Sequence, residues 1–279
     1  MTLGVFNGLV GQERAISALE SAISSIREGR TGQEMVHAWL FTGPPGSGRS
    51  NLAKAFAAAL ICPNNGCGNC SDCKSALEGT HPDLEFVEVS GLSIKTDDIR
   101  EFVSRSAWGA SISNWRVVIL EDSDRMTDAA ANALLKALEE PGAQTVWLLC
   151  APTLHDVLPT IRSRCRHLNL RTPTTKEISQ FLQDSLGSKE SDADLASSIS
   201  QGHIGKAKAF LRDDNFQKAR KQSFRLILSI KNESSAIKAA RALIEYIESR
   251  TEQILADRNE KETVELEAAM QSKNRGLVS

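Results

Sequence analysis

The segment Gly43-Pro-Pro-Gly-Ser-Gly-Arg-Ser50 holds residue types that can cradle phosphate. Gly43, Gly46 and Gly48 let successive backbone N–H groups turn inward around phosphate oxygens, and the start of a following helix adds partial positive charge. Ser50 stands where a hydroxyl ligates Mg²⁺. The lysine usual just before it, which reaches the β- and γ-phosphates, is replaced by Arg49. Arginine keeps the charge on a broader, planar head with different donor geometry. ATP or ADP binding is therefore expected to survive more readily than hydrolysis. The bland alternative is a Gly/Pro-rich turn with no ligand.

A second reactive set follows. Cys62, Cys67, Cys70 and Cys73 have four, two and two residues between successive thiols. Four thiolates this close suit a tetrahedral, structural Zn²⁺ site, with Gly66, Gly68 and Asn69 easing the turns. An iron–sulfur cluster and free thiols are the alternatives. Cys150 reads as a small buried hydrophobe.

The run Val117-Val-Ile-Leu120 leads into Glu121-Asp122, the place where strand-borne acids hold Mg²⁺ and polarise an attacking water. The usual order of Asp then Glu is inverted. Glu121 can reach a metal ion, whereas Asp122, one methylene shorter than Glu, falls short of the water. Acids that merely cap the next helix are the competing reading.

These residues need a scaffold that brings strand ends and helix starts to one edge. With 279 residues and 41% hydrophobic content, the chain can bury a sizeable core in about two domains. A formal charge of −2 argues against a strongly basic, stand-alone nucleic-acid binder. There is no long apolar run for a membrane span, and Met1 to Val10 lacks a signal-peptide pattern, so a cytoplasmic location is expected. Periodicity predicts helices over Gln12 to Arg27, Asn51 to Leu60, Thr96 to Ser106 and Asp128 to Glu139. Strands are expected at Trp39 to Thr42, Leu84 to Val89, Arg116 to Leu120 and Thr145 to Cys150. Short apolar strands alternating with helices imply a parallel sheet covered on both faces. After Thr172-Pro173 the pattern is helical: Lys176 to Leu186, Asp192 to Ser200, Ile204 to Leu211, and longer segments beyond Asn215. The charged stretch Arg250 to Ser279 is expected to fray or to need a partner surface.

Several motifs now converge. Ala130-Ala-Asn-Ala-Leu-Leu-Lys-Ala-Leu-Glu-Glu-Pro141, then Ile161-Arg-Ser-Arg-Cys165, with the cysteine array and His81-Pro-Asp-Leu84, resemble the sliding-clamp loader branch of the AAA+ ATPases. The likeness covers roughly residues 7 to 212. It implies an AAA+ P-loop domain with a parallel sheet over 1–171, carrying the cysteine module 62–73 as an insert. A small helical lid domain over 172–213 and a short or partial all-α collar over 214–279 would follow.

The resemblance also implies that Arg164, in Ser163-Arg164-Cys165, is an arginine finger presented in trans to ATP on a neighbouring subunit. There a guanidinium offsets charge developing during phosphoryl transfer. A surface arginine in a basic run with Arg162 and Arg166, touching DNA phosphates, is the alternative. In that branch's pattern a polar sensor falls on Ala151 or Pro152, and a sensor arginine falls on Gly205, with Lys206 only a partial substitute. Leu9-Val-Gly-Gln12 resembles the segment bordering the adenine pocket.

The implied role is a non-hydrolysing ring member of a bacterial DNA polymerase III clamp loader, part of a DNA-directed DNA polymerase holoenzyme. Its hetero-oligomeric partners would be the tau/gamma and delta subunits, with the β sliding clamp and primed DNA reached through the assembly. An active ATPase using Arg49, Ser50 and Glu121, and a zinc-containing DNA-binding module, are the competing functions. Lys95, Arg100 and Arg105 are candidate DNA contacts that can equally be plain solvated charges.

Overall fold

The structure is a computed structural model that describes residues 3–28, 36–87, 93–249, 251–252 and 255–256. Ala38–Thr42 (β1), Leu84–Val87 (β2), Arg116–Leu120 (β3), Thr145–Ala151 (β4) and Arg166–Asn169 (β5) form one parallel sheet in the order β2-β3-β4-β1-β5. β1 and β4 are buried along their whole length. This explains their nearly unbroken apolar sequences: a central parallel strand has a covered face on each side.

Side-chain alternation sorts these strands between two cores. Trp39, Phe41, Ile119, Leu148 and Cys150 face Glu13–Arg27 (α1), Arg49–Ile61 (α2) and Ser71–Glu78 (α3). Leu40, Val118, Leu120, Trp147 and Leu149 face Thr96–Ser106 (α4) and Asp128–Glu139 (α5). In α1 the buried residues Ala15, Ile16, Leu19, Ala22 and Ile23 recur at helical spacing. α2 is different, because Leu52, Ala53 and the run Ala55 to Ile61 are all buried. Its small alanines let it lie between the sheet and the layer of α1 and α3, and they carry the highest helix propensity. Thr127 caps α5 by accepting the Ala130 N–H at 3.2 Å.

Pro159–Arg162 (α6) leads into edge strand β5. Beyond it, Thr175–Leu186 (α7), Glu190–Ser200 (α8) and Ile204–Arg212 (α9) surround a small core of Ile178, Leu182, Ala193, Ala196, Ala207 and Phe210. Thr174 and Glu177 form a reciprocal capping box at the start of α7.

The chain divides into two compact units, Met1–Leu211 and Arg212–Ser279. In the second, Asp214–Leu228 (α10) and a helix over 233–249 are described. Phe224, Ile227, Leu228, Ile237 and Ile244 are exposed there. No helix among the described residues is long and apolar enough to cross a membrane.

Most expected elements occur within one or two residues of their expected ends. α3, α6 and β5 are additional. The expected strand over Leu84 to Val89 is described as far as Val87, and Glu88 and Val89 lie outside the described residues. So does most of Arg250 to Ser279.

Candidate functional site

The glycine-rich loop over residues 43–48, the candidate phosphate loop, spans the gap between β1 and α2. Gly46 and Gly48 have φ of 88° and 91°, a left-handed conformation that glycine adopts at little cost, and Gly48 is the N-cap of α2. The Gly43 N–H donates to the Pro152 carbonyl at 3.1 Å, which ties the start of the loop to the end of β4. Buried Gln12 ties the loop to the next segment. Its Nε2 donates to the carbonyls of Ser47 (3.2 Å) and Arg171 (2.8 Å), and its Oε1 accepts the Arg171 N–H at 3.3 Å.

Arg49 Nη1 donates to the Gly43 carbonyl at 2.6 Å. The guanidinium thus clasps the two ends of its own loop, with one arm of the fork engaged. Beside it lies a cleft of about 460 Å³ lined by Leu9, Val10, Gly46–Asn51 and, at the start of α9, His203, Ile204, Gly205 and Lys208. A Cβ on Gly46 would lie 3.0 Å from the His203 Cβ, so the segment leading into α9 packs directly on the loop. The Ser47 hydroxyl and His203 Nδ1 are buried there without hydrogen-bond partners in the structure. Lys206 does not line the cleft; His203 and Lys208 do, and the sequence reading missed both.

Glu121 follows β3, and Asp122 turns away in the left-handed region (φ 46°) to pair with Arg125 at 3.3 Å. This is a partly exposed ion pair within its own turn. Burial raises the pKa of Asp124, whose Oδ1 lacks a partner. Burial also raises that of the Cys150 thiol, which lies in the fields of Glu121 and Arg49; these charges thus share one end of the sheet.

The four array cysteines converge. Their Sγ atoms all lie within 4.8 Å of one another, with Cys62–Cys67 at 3.9 Å, Cys62–Cys70 at 3.7 Å and Cys67–Cys73 at 4.0 Å. A tetrahedron with about 2.3 Å metal–sulfur bonds requires sulfurs about 3.8 Å apart, so this donor set fits one ion. The spacing is too long for a disulfide and too short to enclose a multi-iron cluster. Backbone N–H groups of Asn64, Gly68 and Cys73 point at the sulfurs of Cys62, Cys73 and Cys70 at 3.3 to 3.4 Å. N–H bonds from Asn69 and Cys70 hold the Cys67 thiol down at about 6, while burial pushes that of Cys73 up. Cys73 packs in the α2 core, and Gly4 lies so close to the Cys67 carbonyl that a Cβ would clash at 2.2 Å. The module is part of the wall of the fold, remote in role from the phosphate loop.

Asp83 shows what His81-Pro-Asp-Leu84 does. It is fully buried and accepts N–H bonds from Ser111 (2.5 Å), Ile112 (2.9 Å) and Ser113 (2.6 Å). Burial alone would raise its pKa, but these donors outweigh it and hold the carboxyl at about 2. His81 Nδ1 accepts the Asp83 N–H at 3.0 Å.

Arg164 lies in the turn after α6, partly exposed. Nε donates to Glu139 Oε1 at 2.7 Å and Nη2 binds the same oxygen; Nη1 donates to the Thr160 carbonyl at 2.8 Å and to Ser163 Oγ at 3.3 Å. Burial pushes the neighbouring Cys165 thiol up to about 12, which marks it as an inert packing residue. Among the candidate DNA contacts, Arg105 pairs with Glu85 at 2.5 Å and Arg100 with Asp97 at 3.4 Å.

A model of the family described as DNA polymerase III, delta subunit matches residues 12–174. The DNA polymerase III subunit delta' of Pseudomonas aeruginosa is 41% identical over 135 residues, covering 46% of this chain and 41% of that protein. Its Bacillus subtilis counterpart is 30% identical over 220 residues, 77% of this chain and 64% of that protein. For Escherichia coli the figures are 33% over 204 residues, 71% and 60%. The chain spans less than two thirds of each of these relatives. A solved point variant of Thermotoga maritima RuvB matches with a TM-score of 0.54 at 19% identity, over 84% of this chain and 70% of that one. That likeness is one of fold, the AAA+ arrangement of a parallel five-stranded sheet with helices.

Proposed function

This chain belongs to the DNA polymerase III, delta subunit family, and from that premise we propose that it is a delta-prime-type ring member that completes a clamp loader without hydrolysing ATP itself. Its partners are the tau/gamma and delta subunits, and through the assembly it helps load the β sliding clamp on primed DNA. Its catalytic contribution is Arg164, supplied in trans to ATP on the neighbouring subunit.

One observation carries the reading. At its own glycine-rich loop the cation is bonded to Gly43 and the acid after Glu121 is paired with Arg125, while a partly exposed guanidinium, paired with Glu139, lies on the turn after α6. These contacts support the reading: the loop's own cation and the acid beside it have partners within the chain, and Arg164, although paired with Glu139, is near enough to the surface for a neighbour to reach. A cleft of about 460 Å³ is large enough to retain ATP or ADP. Gly43, Gly46, Gly48, Arg49 and Ser50 would hold the phosphates, with Glu121 and Ser50 the groups that could carry Mg²⁺.

We assign the four-cysteine site to structural Zn²⁺. Cys62, Cys67, Cys70 and Cys73 would close its coordination shell, so the ion supplies folding energy and no reaction chemistry.

The test is ATP turnover by the reconstituted loader containing Arg164→Ala. Removal of a finger is expected to lower turnover at the neighbouring site by about 10³ or more. Unchanged turnover would overturn the assignment, and robust hydrolysis by this chain alone would favour an active ATPase instead.

A further inference from the structure

The contacts of Arg164 are unusual for a group that must reach another subunit. All three guanidinium nitrogens are engaged within this chain. Two converge on Glu139 Oε1, and the third reaches back to the Thr160 carbonyl four residues earlier. Glu139 is the last residue of α5, a helix that packs on α6. Both partners are partly open to solvent, with Arg164 34% and Glu139 48% exposed, so the pair can separate without opening the core.

We propose that Glu139 is a positioning residue that stows the finger, holding Arg164 against its own chain until a neighbour's triphosphate offers a stronger anion. The inference rests on the reading of Arg164 as a finger. Stowing exchanges one anionic partner for another, so the guanidinium is never left unpaired as it enters a desolvated interface. A carboxylate carries one negative charge. The γ-phosphate with its neighbouring phosphates carries more, so transfer is favoured onto a triphosphate more than onto a diphosphate. Glu139 would thereby restrain premature turnover in a loader whose subunits are not yet fully engaged. The same contact also fixes where the finger starts, because Thr160 and Ser163 hold the far arm of the fork.

The experiment uses the whole loader, reconstituted with this chain as wild type, Glu139→Gln, Glu139→Asp, Arg164→Ala and the Glu139→Gln/Arg164→Ala double variant. ATP turnover is measured without clamp or DNA. Glu139→Gln removes the charge while keeping the shape, and is expected to raise kcat up to about fivefold with KM for ATP unchanged, the range set by a solvent-exposed ion pair. Glu139→Asp keeps the charge and is expected to lie between the two. In the Arg164→Ala background Glu139→Gln is expected to have no effect, since nothing remains to be stowed. A Glu139→Gln effect that persists in that background, or turnover no higher than wild type, overturns the stowing role. If Arg164→Ala itself leaves turnover unchanged, the finger reading fails instead; if Arg164→Ala lowers turnover and Glu139→Gln does nothing, the finger stands and the stowing role alone falls.

Discussion

Replacing Asp83 by Asn should destabilise the first unit at neutral pH, and the deficit should shrink in acid. The carboxyl sits at about 2 against an ordinary 3.8 because three backbone N–H groups point at it. That difference in proton affinity corresponds to about 2 kcal/mol. In addition, one face of the substituted amide is an NH₂ group. Set at Oδ1, it would leave the Ser111 N–H unpaired, for a total loss of about 3 kcal/mol. In a unit of this size the midpoint of thermal unfolding should fall by roughly 6 to 12 °C. The sign with pH follows from the depressed folded value. The charge-dependent stabilisation is fully present above the unfolded pKa of about 3.8 and is lost as pH falls through about 2. Urea unfolding of wild type and Asp83→Asn at pH 7 and about pH 3 should therefore show a gap narrowing by about 1 kcal/mol. A gap of the same size at both pH values would refute the argument, because the charge would then contribute nothing and only shape would matter.

Two further outcomes are expected. The purified chain should contain one zinc per molecule, and a strong chelator should lower its unfolding midpoint; full stability without metal would remove zinc from the account. Gln12→Ala deletes three hydrogen bonds around the phosphate loop, each worth about 1 kcal/mol. Hydrogen exchange at the loop amides should accelerate, and unaltered exchange across residues 43–50 would show that the loop holds its shape without this clamp.

Much of the fold was legible because the signals were long and periodic. α4, β3 and α5 occupy the expected residues, since the two helices have a clear apolar period, β3 has an unbroken apolar run, and α5 has its threonine cap. What was missed has a physical cause in each case. β5, Arg166-His-Leu-Asn169, has one apolar residue in four and a half-exposed face. Only pairing with β1 makes it a strand. α3 begins inside the cysteine array, where the Cys70 thiol takes the capping role by accepting the Cys73 N–H at 3.4 Å. The expected metal ligands were legible from spacing alone, because short spacers bring thiols together whatever the rest of the chain does.

Sequence by itself determined the residue types at the glycine-rich loop, the cysteine set, and the order of the acids after β3. These are local properties, written in neighbouring residues and in backbone freedom such as that of Gly46 and Gly48. Tertiary structure decided who meets whom. Arg49 turns onto Gly43, His203 arrives on Gly46 from more than 150 residues away, and Arg164 lies against Glu139, 25 residues earlier. Such contacts depend on how helices and strands pack, which fixes side-chain partners at distances no local pattern encodes. The identity of the cations was readable in advance; what each cation is bound to was not.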